Sequence, residues 1–244
     1  MTKALVIFAL KEEFDPWRRK HHFHPTSLSQ HPVFVACVGA TEAYVTLAGA
    51  GAPLAESLND LLAQFTPSLG IVTGVAAGLK PEWRPGDVLV AQSVFALKGE
   101  SRIPSDAGLL DLAVQCGAKL APTLITLPGI ARTVAEKTRL ATLGDAADME
   151  SLPMMKQWSM RGIPSLALRV ILDPVEMPMS CDFEAALDAH GQVRITRILA
   201  QLAGRPQLLP DFLRLWRISH RSMKILAMFL DRFFGFLDRR TSTM

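Results

Sequence analysis

Gly144-Asp145-Ala146-Ala147-Asp148-Met149-Glu150-Ser151 sets a short apolar, small-residue segment against the start of a helical pattern, with carboxylates on both sides of a methionine. In a chain of alternating strands and helices, ligands sit at the carboxyl ends of strands, where loops and helix starts deliver polar groups. Strand alternation turns Asp148 and Glu150 to one side and Met149 to the other. One carboxylate can then grip paired hydroxyls while the methionine packs under an apolar face, which suits a sugar. The same residues also suit a helix N-terminus whose acids answer the macrodipole.

Outward from this stretch the alternation continues. Ala4 to Leu10 is wholly apolar, as a strand buried on both faces requires, and it delivers Glu12 and Glu13 at its carboxyl end. Lys11-Glu12-Glu13 is equally ordinary helix-start composition. Val33 to Val38 and Ala43 to Ala48 read as strands, the second leading through Gly49-Ala50-Gly51-Ala52-Pro53 into the helical pattern of Leu54, Leu58, Leu61 and Leu62. Gly49 and Gly51 let backbone amides approach a ligand, as do the small residues of Thr73-Gly74-Val75-Ala76-Ala77-Gly78-Leu79 after the strand Leu69 to Val72. Pro85-Gly86-Asp87 is a turn before a strand at Val88 to Ala91.

A helix is expected around Leu109 to Leu120, a strand from Thr123 to Leu127, and helices over Ala135 to Leu140 and through Met154, Met155 and Trp158. The last core strand, Pro164 to Ile171, ends in Leu172-Asp173-Pro174, where Asp173 serves either chemistry or an Asp-Pro turn. The basic segment Trp17 to His31 holds His21, His22 and His24 without metal-type spacing and is expected as a solvated loop.

With 244 residues, about half of them apolar, the chain can build one large core. Its formal charge of +3, with no gathered basic run, argues against a nucleic-acid partner. Three scattered cysteines, Cys37, Cys116 and Cys181, point to reduced thiols in a cytoplasmic protein with neither disulfide nor metal site. The apolar run that follows Met1-Thr2-Lys3 is too short for a signal peptide and lacks its cleavage site.

Taken in order, Ala9-Leu10-Lys11-Glu12-Glu13, Gly49-Ala50-Gly51, Thr73-Gly74-Val75-Ala76-Ala77-Gly78-Leu79, Gly86-Asp87-Val88, Asp148-Met149-Glu150 and Arg169-Val170-Ile171-Leu172-Asp173 resemble the nucleoside phosphorylase and nucleosidase superfamily, which includes methylthioadenosine/S-adenosylhomocysteine nucleosidases. The resemblance covers roughly residues 3 to 200. It implies an α/β fold, a single three-layer α/β/α domain around a mixed twisted sheet, placed at residues 1–204. Within the superfamily the chain looks most like the hopanoid-associated phosphorylases, or adenosylhopane nucleosidases. That likeness rests on Ala147-Asp148-Met149-Glu150-Ser151, Asp173-Pro174, Leu187-Asp188-Ala189-His190-Gly191 and Arg205-Pro206-Gln207-Leu208-Leu209-Pro210. Val75 and Ala77 depart from the serine and glycine of related nucleosidases.

The resemblance implies cleavage of the N-glycosidic bond of a purine nucleoside, with release of adenine from adenosylhopane in hopanoid biosynthesis and no cofactor; the alternatives are a nucleosidase for a small 5′-substituted adenosine such as methylthioadenosine and a non-catalytic nucleoside- or lipid-binding protein on the same fold. It makes Asp173 the acid at N7 and Glu13 the group that orients water. Glu150, Asp148 and Met149 would meet the ribose, and Gly49, Gly51, Val75, Ala76 and Gly78 would line the pocket. A carboxylate at the nucleophile position favours water over phosphate, which phosphorylases generally hold with arginines. Phosphate remains open because the placement of Arg18, Arg19 and Arg84 is not fixed by sequence. Arg169 reads as an internal ion pair. Dimers are common in the superfamily, so a homodimer is expected. Residues 205–244 are expected as an amphipathic basic helix, with Leu209, Phe212, Leu213, Trp216, Met223, Leu226, Leu230, Phe233, Phe234 and Leu237 in one stripe. Its longest apolar run, Ile225 to Leu230, falls far short of the ~20 residues that span a bilayer, so it would lie on a membrane or pack on the core or on a partner subunit.

Overall fold

Strand β1 (Thr2–Phe8) shows how the layers arise. Ala4, Val6 and Phe8 point into one apolar cluster and Leu5 and Ile7 into another, because successive side chains of a strand leave on opposite faces. The computed structural model describes residues 2–28, 32–49, 54–97, 102–188 and 193–241. Gly51 and the Ala189-His190-Gly191 triplet lie outside them.

The remaining strands are β2 (His24–Thr26), β3 (Val33–Val38), β4 (Thr41–Leu47), β5 (Leu69–Gly78), β6 (Val88–Ala96), β7 (Ile103–Pro104), β8 (Lys119–Thr126), β9 (Ala146–Asp148) and β10 (Ser165–Asp173). Helices α1 (Lys11–His21), α3 (Ala107–Gln115) and α8 (Leu209–Thr241) cover one face, and α2 (Leu54–Gln64) and α5 (Ser151–Ser159) the other. Three shorter helices, α4 (Val134–Leu140), α6 (Phe183–Ala186) and α7 (Ile195–Gly204), complete the chain. The sheet is mixed, as expected, and it also closes on itself. β10 pairs with both β5 and β6, β6 with β8, β8 with β9, and β9 with β5, making a ring from which β1, β4, β3 and β2 extend as a wing.

The closure forks β5. Its first half pairs with β1 as far as Phe8↔Thr73, its end pairs with β9 from Ala77↔Ala147, and β10 follows its other side throughout. Gly74, Val75 and Ala76 therefore sit where β1 and β9 part, at a switch point of the kind that holds ligands in such sheets.

Four expectations change. The strand expected to end at Val72 runs on to Gly78, so the small residues from Thr73 belong to β5 itself. The helix expected to reach Leu120 ends at Gln115, because Gly117 takes a left-handed φ of 96° and Leu120 already belongs to β8. The loop expected from Trp17 is helical through His21 despite Pro16. The fully buried Trp17 ring stacks 5.5 Å from Phe234 and its Nε1 donates to Asp231 at 2.9 Å, which offsets the roughly 3 kcal/mol cost of an interior proline. The C-terminal stripe divides: Leu226, Leu230, Phe233 and Phe234 are fully buried against β1, α1 and α3, while Leu209, Leu213 and Trp216 are exposed. Replacing one such buried phenylalanine by alanine costs about 3–5 kcal/mol, so the second half of α8 is part of the core.

Candidate active site

Arg169, on β10 and fully buried, is the electrostatic centre of the fork. Its Nη2 lies 2.5 Å from Asp148 Oδ2, 3.6 Å from Glu150 Oε2 and donates to Ser151 Oγ at 3.0 Å. Burial pulls the guanidinium pKa down, but Asp148, Glu150 and Glu13 outweigh it and hold the cation more firmly than usual.

Asp148 spends itself on the protein. Oδ1 accepts from Thr126 Oγ1 at 2.8 Å and Oδ2 accepts from the Ser151 amide at 3.1 Å, so it fixes Arg169 and the start of α5 together. Glu150 is the residue before α5, 5% exposed, and Met149 is half-buried between the two acids.

Glu13 comes to the same centre from the first turn of α1. Its Oε2 accepts from the Ala9 and Leu10 amides and its Oε1 from Val75, each at 3.0 Å. Gly74 makes room for this meeting. With φ at 142° it leaves space that a Cβ would fill to within 2.7–2.8 Å of the Glu13 carboxylate and Arg169 Nη1. Burial raises the Glu13 pKa, opposed by Arg169 and by the three amides. Among the described residues, Nη1 and Nε of Arg169 are buried without a hydrogen-bond partner, and Nη1 and the Glu13 carboxylate both approach Gly74.

Asp173 ends β10, where it pairs with Ala77 on the side of β5 opposite Ala147. Two strand spacings, about 10 Å, thus separate the backbones that carry Asp173 and the Asp148–Glu150 segment. Burial pushes the Asp173 carboxyl up to about 6, against the pull of Lys137, whose Nζ donates to Oδ2. Lys137 on α4 is fully buried and was not singled out by sequence, because one lysine in a helix carries no pattern.

Of the glycines expected to meet a ligand, Gly49 has its amide engaged with the Ala9 carbonyl at 2.9 Å. At Gly78 the close neighbour is Trp83, whose Cβ would stand 2.7 Å from an added Cβ. Val75 is half-buried with its amide on Glu13, and Ala76 is buried in the ladder opposite Ile171. Arg18 and Arg19 lie on the last turn of α1 around a groove with Lys11 and His22. Arg84 lies instead beside Pro174 on a cavity of about 400 Å³, walled by Met177, Cys181, Phe212 and Leu215. The cavity runs from the end of β10 to the exposed first half of α8. Among the described residues no cluster of His, Cys, Asp or Glu could hold a metal ion.

The chain is similar in fold to the native futalosine hydrolase of Helicobacter pylori, at 15% identity over 96% of this chain and 97% of that one, with a TM-score of 0.72. The 5′-methylthioadenosine/S-adenosylhomocysteine nucleosidase of Campylobacter jejuni gives 17% identity, 96% and 98% coverage and a TM-score of 0.71. A putative nucleosidase of the same name from Francisella philomiragia gives 18%, 98%, 100% and 0.72. No curated protein sequence matches the chain. The phosphorylase superfamily pattern matches residues 3–203, a span that takes in Glu13, the fork of β5, the Arg169 centre and Asp173, and the chain belongs to that superfamily.

Proposed function

We propose that this protein hydrolyses the N-glycosidic bond of a purine nucleoside. The observation that carries the reading is the fork of β5, around which Glu13, Glu150 and Asp173 stand at the ends of three different elements, with Arg169 balancing Glu13 and Glu150 and Lys137 paired with Asp173. As the C1′–N9 bond breaks, its electron pair passes to the base and Asp173 transfers a proton to N7. Glu150 accepts hydrogen bonds from the 2′ and 3′ hydroxyls and gains value as positive charge develops on the ribose, with Met149 beside the ring. Glu13 takes the proton of the attacking water, whose oxygen is met by Arg169 Nη1. Burial raises the Glu13 pKa and so makes its carboxylate a stronger base than an exposed glutamate, while Arg169 and the three amides oppose that rise. The products are free base and free sugar. Water fits this site better than phosphate because its cation, Arg169, already faces three carboxylates.

For the substrate we infer adenosylhopane, with adenine as the base. The cavity beside Pro174 is lined on α8 by Phe212, Leu215 and Ile218, and elsewhere on that helix Leu209, Leu213 and Trp216 are exposed, as are Ile195 and Leu199 on α7, apolar surface of the kind a large apolar 5′ substituent requires. Arg205, Arg214, Arg217 and Arg221 are exposed along the same stretch, and no helix among the described residues is long and apolar enough to cross a membrane. This half of α8 therefore lies on an anionic bilayer surface from which the substrate is drawn. The names of the similar structures favour a second reading, a small 5′-substituted adenosine such as methylthioadenosine. Incubation with adenosylhopane and with methylthioadenosine, each with and without phosphate, decides. Adenine and a free reducing sugar from the lipid nucleoside without phosphate support the reading, and a sugar 1-phosphate formed only with phosphate overturns hydrolysis.

A further inference from the structure

We propose that Lys137 is the positioning residue for the acid of this site, fixing one carboxylate oxygen of Asp173 together with the start of the cavity wall so that the other oxygen is aimed at the base. Lys137 projects from α4 with its side chain fully buried, one turn before the buried Leu140. Its ammonium has three protons and meets three acceptors: Asp173 Oδ2, the Met177 carbonyl at 2.7 Å and the Pro174 carbonyl at 3.2 Å. None remains for a ligand, so Lys137 acts through Asp173 and through the segment from Pro174 to Met177. That segment lines the cavity, so one side chain sets both the rotamer of the acid and the wall beside the substrate.

A buried cation in contact with a carboxylate also restrains the upward push of burial on that group. The other charged groups near this end of β10 are Arg84, Glu176, Asp211 and Arg214, which line the cavity next to Pro174. They are unchanged in variants at position 137, so a shift confined to those variants belongs to the Lys137–Asp173 pair.

The inference rests on the role given to Asp173 above, and the test separates the two. The pH dependence of kcat/KM is measured on the full-length protein and on Lys137→Met and Lys137→Gln, with whichever nucleoside the parent cleaves. The limb on which activity is lost as pH rises should move up by at least about one unit in both variants, with kcat down about tenfold or more. Lys137→Arg, which keeps the charge in a different shape, should hold the limb and lose kcat. A uniform loss with the limb unmoved in all three makes Lys137 a structural anchor and overturns the proposal. A parent protein that releases no base from any nucleoside counts against the role of Asp173 instead. The pairing is then read, as it is if the neutral variants fail to fold, from the ¹⁵Nζ resonance of Lys137. That resonance should shift on Asp173→Asn, and an unmoved resonance overturns the proposal.

Discussion

Arg169 Nη2 and Asp148 Oδ2 stand 2.5 Å apart with neither side chain exposed to solvent, and the same guanidinium faces Glu150 and Glu13. Breaking a buried pair from one side leaves an uncompensated charge, at a cost of about 3–5 kcal/mol. Arg169→Met strands three acids, so it should unfold the protein or lower its stability by at least that amount in urea. Asp148→Asn keeps the shape and one accepting oxygen, enough for the Ser151 amide, and leaves Arg169 facing Glu150 and Glu13, so it should lose less. A variant Arg169→Met of parental stability would show that the arginine does not hold these elements together.

Asp173→Asn should reduce turnover at least ~10²-fold while nucleoside binding changes little, because the amide keeps a hydrogen bond to N7 and has no acidic proton. The sign with pH follows from the raised carboxyl. The proposed reaction uses the protonated form, so kcat/KM should hold below about pH 6 and fall as pH rises through that value. At pH 7 about one-tenth of the free protein would carry the proton. A kcat/KM that rises through pH 6 and stays high to pH 8 assigns the acid elsewhere.

Glu150→Gln should raise KM and lower kcat for ribosides. 2′-Deoxyribosides should already be poor substrates of the parent and respond less to the change, since they lack one of the hydroxyls a carboxylate would hold. Equal losses on the two substrate classes would remove Glu150 from the sugar.

Much of this arrangement was legible in the order of residues, for reasons that differ by element. Buried strands such as β1 and β10 declare themselves as unbroken apolar runs, and the acids at their ends are conspicuous against them. The Arg169 ion pair followed from a lone charge inside such a run. What periodicity does not encode is closure: the pairing of β9 with β5 depends on long-range contacts, so the fork that places Gly74 between Glu13 and Arg169 was invisible. The partner of Asp173 was hidden for the same reason, 36 residues away on α4. The fate of α8 was ambiguous because a core-facing stripe and a membrane-facing stripe share one period, and the structure divides the helix between burial and exposure.

That division makes truncation a test of the fold. Removing residues 222–244 takes away Leu226, Leu230, Phe233 and Phe234, all fully buried, and the Asp231 contact to Trp17. At several kcal/mol for each large side chain, the loss exceeds the 5–15 kcal/mol by which domains are stable. The shortened chain should fail to show a cooperative thermal transition. A folded, melting truncation product would detach α8 from the core.

The exposed half of α8 can be altered without touching the core. Leu213 and Trp216 are 39% and 56% exposed, so Leu213→Ser with Trp216→Ser should change stability little. The double variant gives up apolar area that a bilayer surface would cover, at roughly 25 cal/mol for each Å². It should lose sedimentation with anionic liposomes and lose activity on adenosylhopane presented in them, while cleavage of methylthioadenosine or a short 5′-substituted analogue stays at the parental rate. Raising salt should weaken liposome binding of the parent, since Arg214, Arg217 and Arg221 supply the long-range attraction. Unchanged sedimentation of the variant, or a parent that never sediments at moderate salt, removes the membrane from this surface. Parallel losses on lipid and short substrates would instead make the two residues part of the cavity wall.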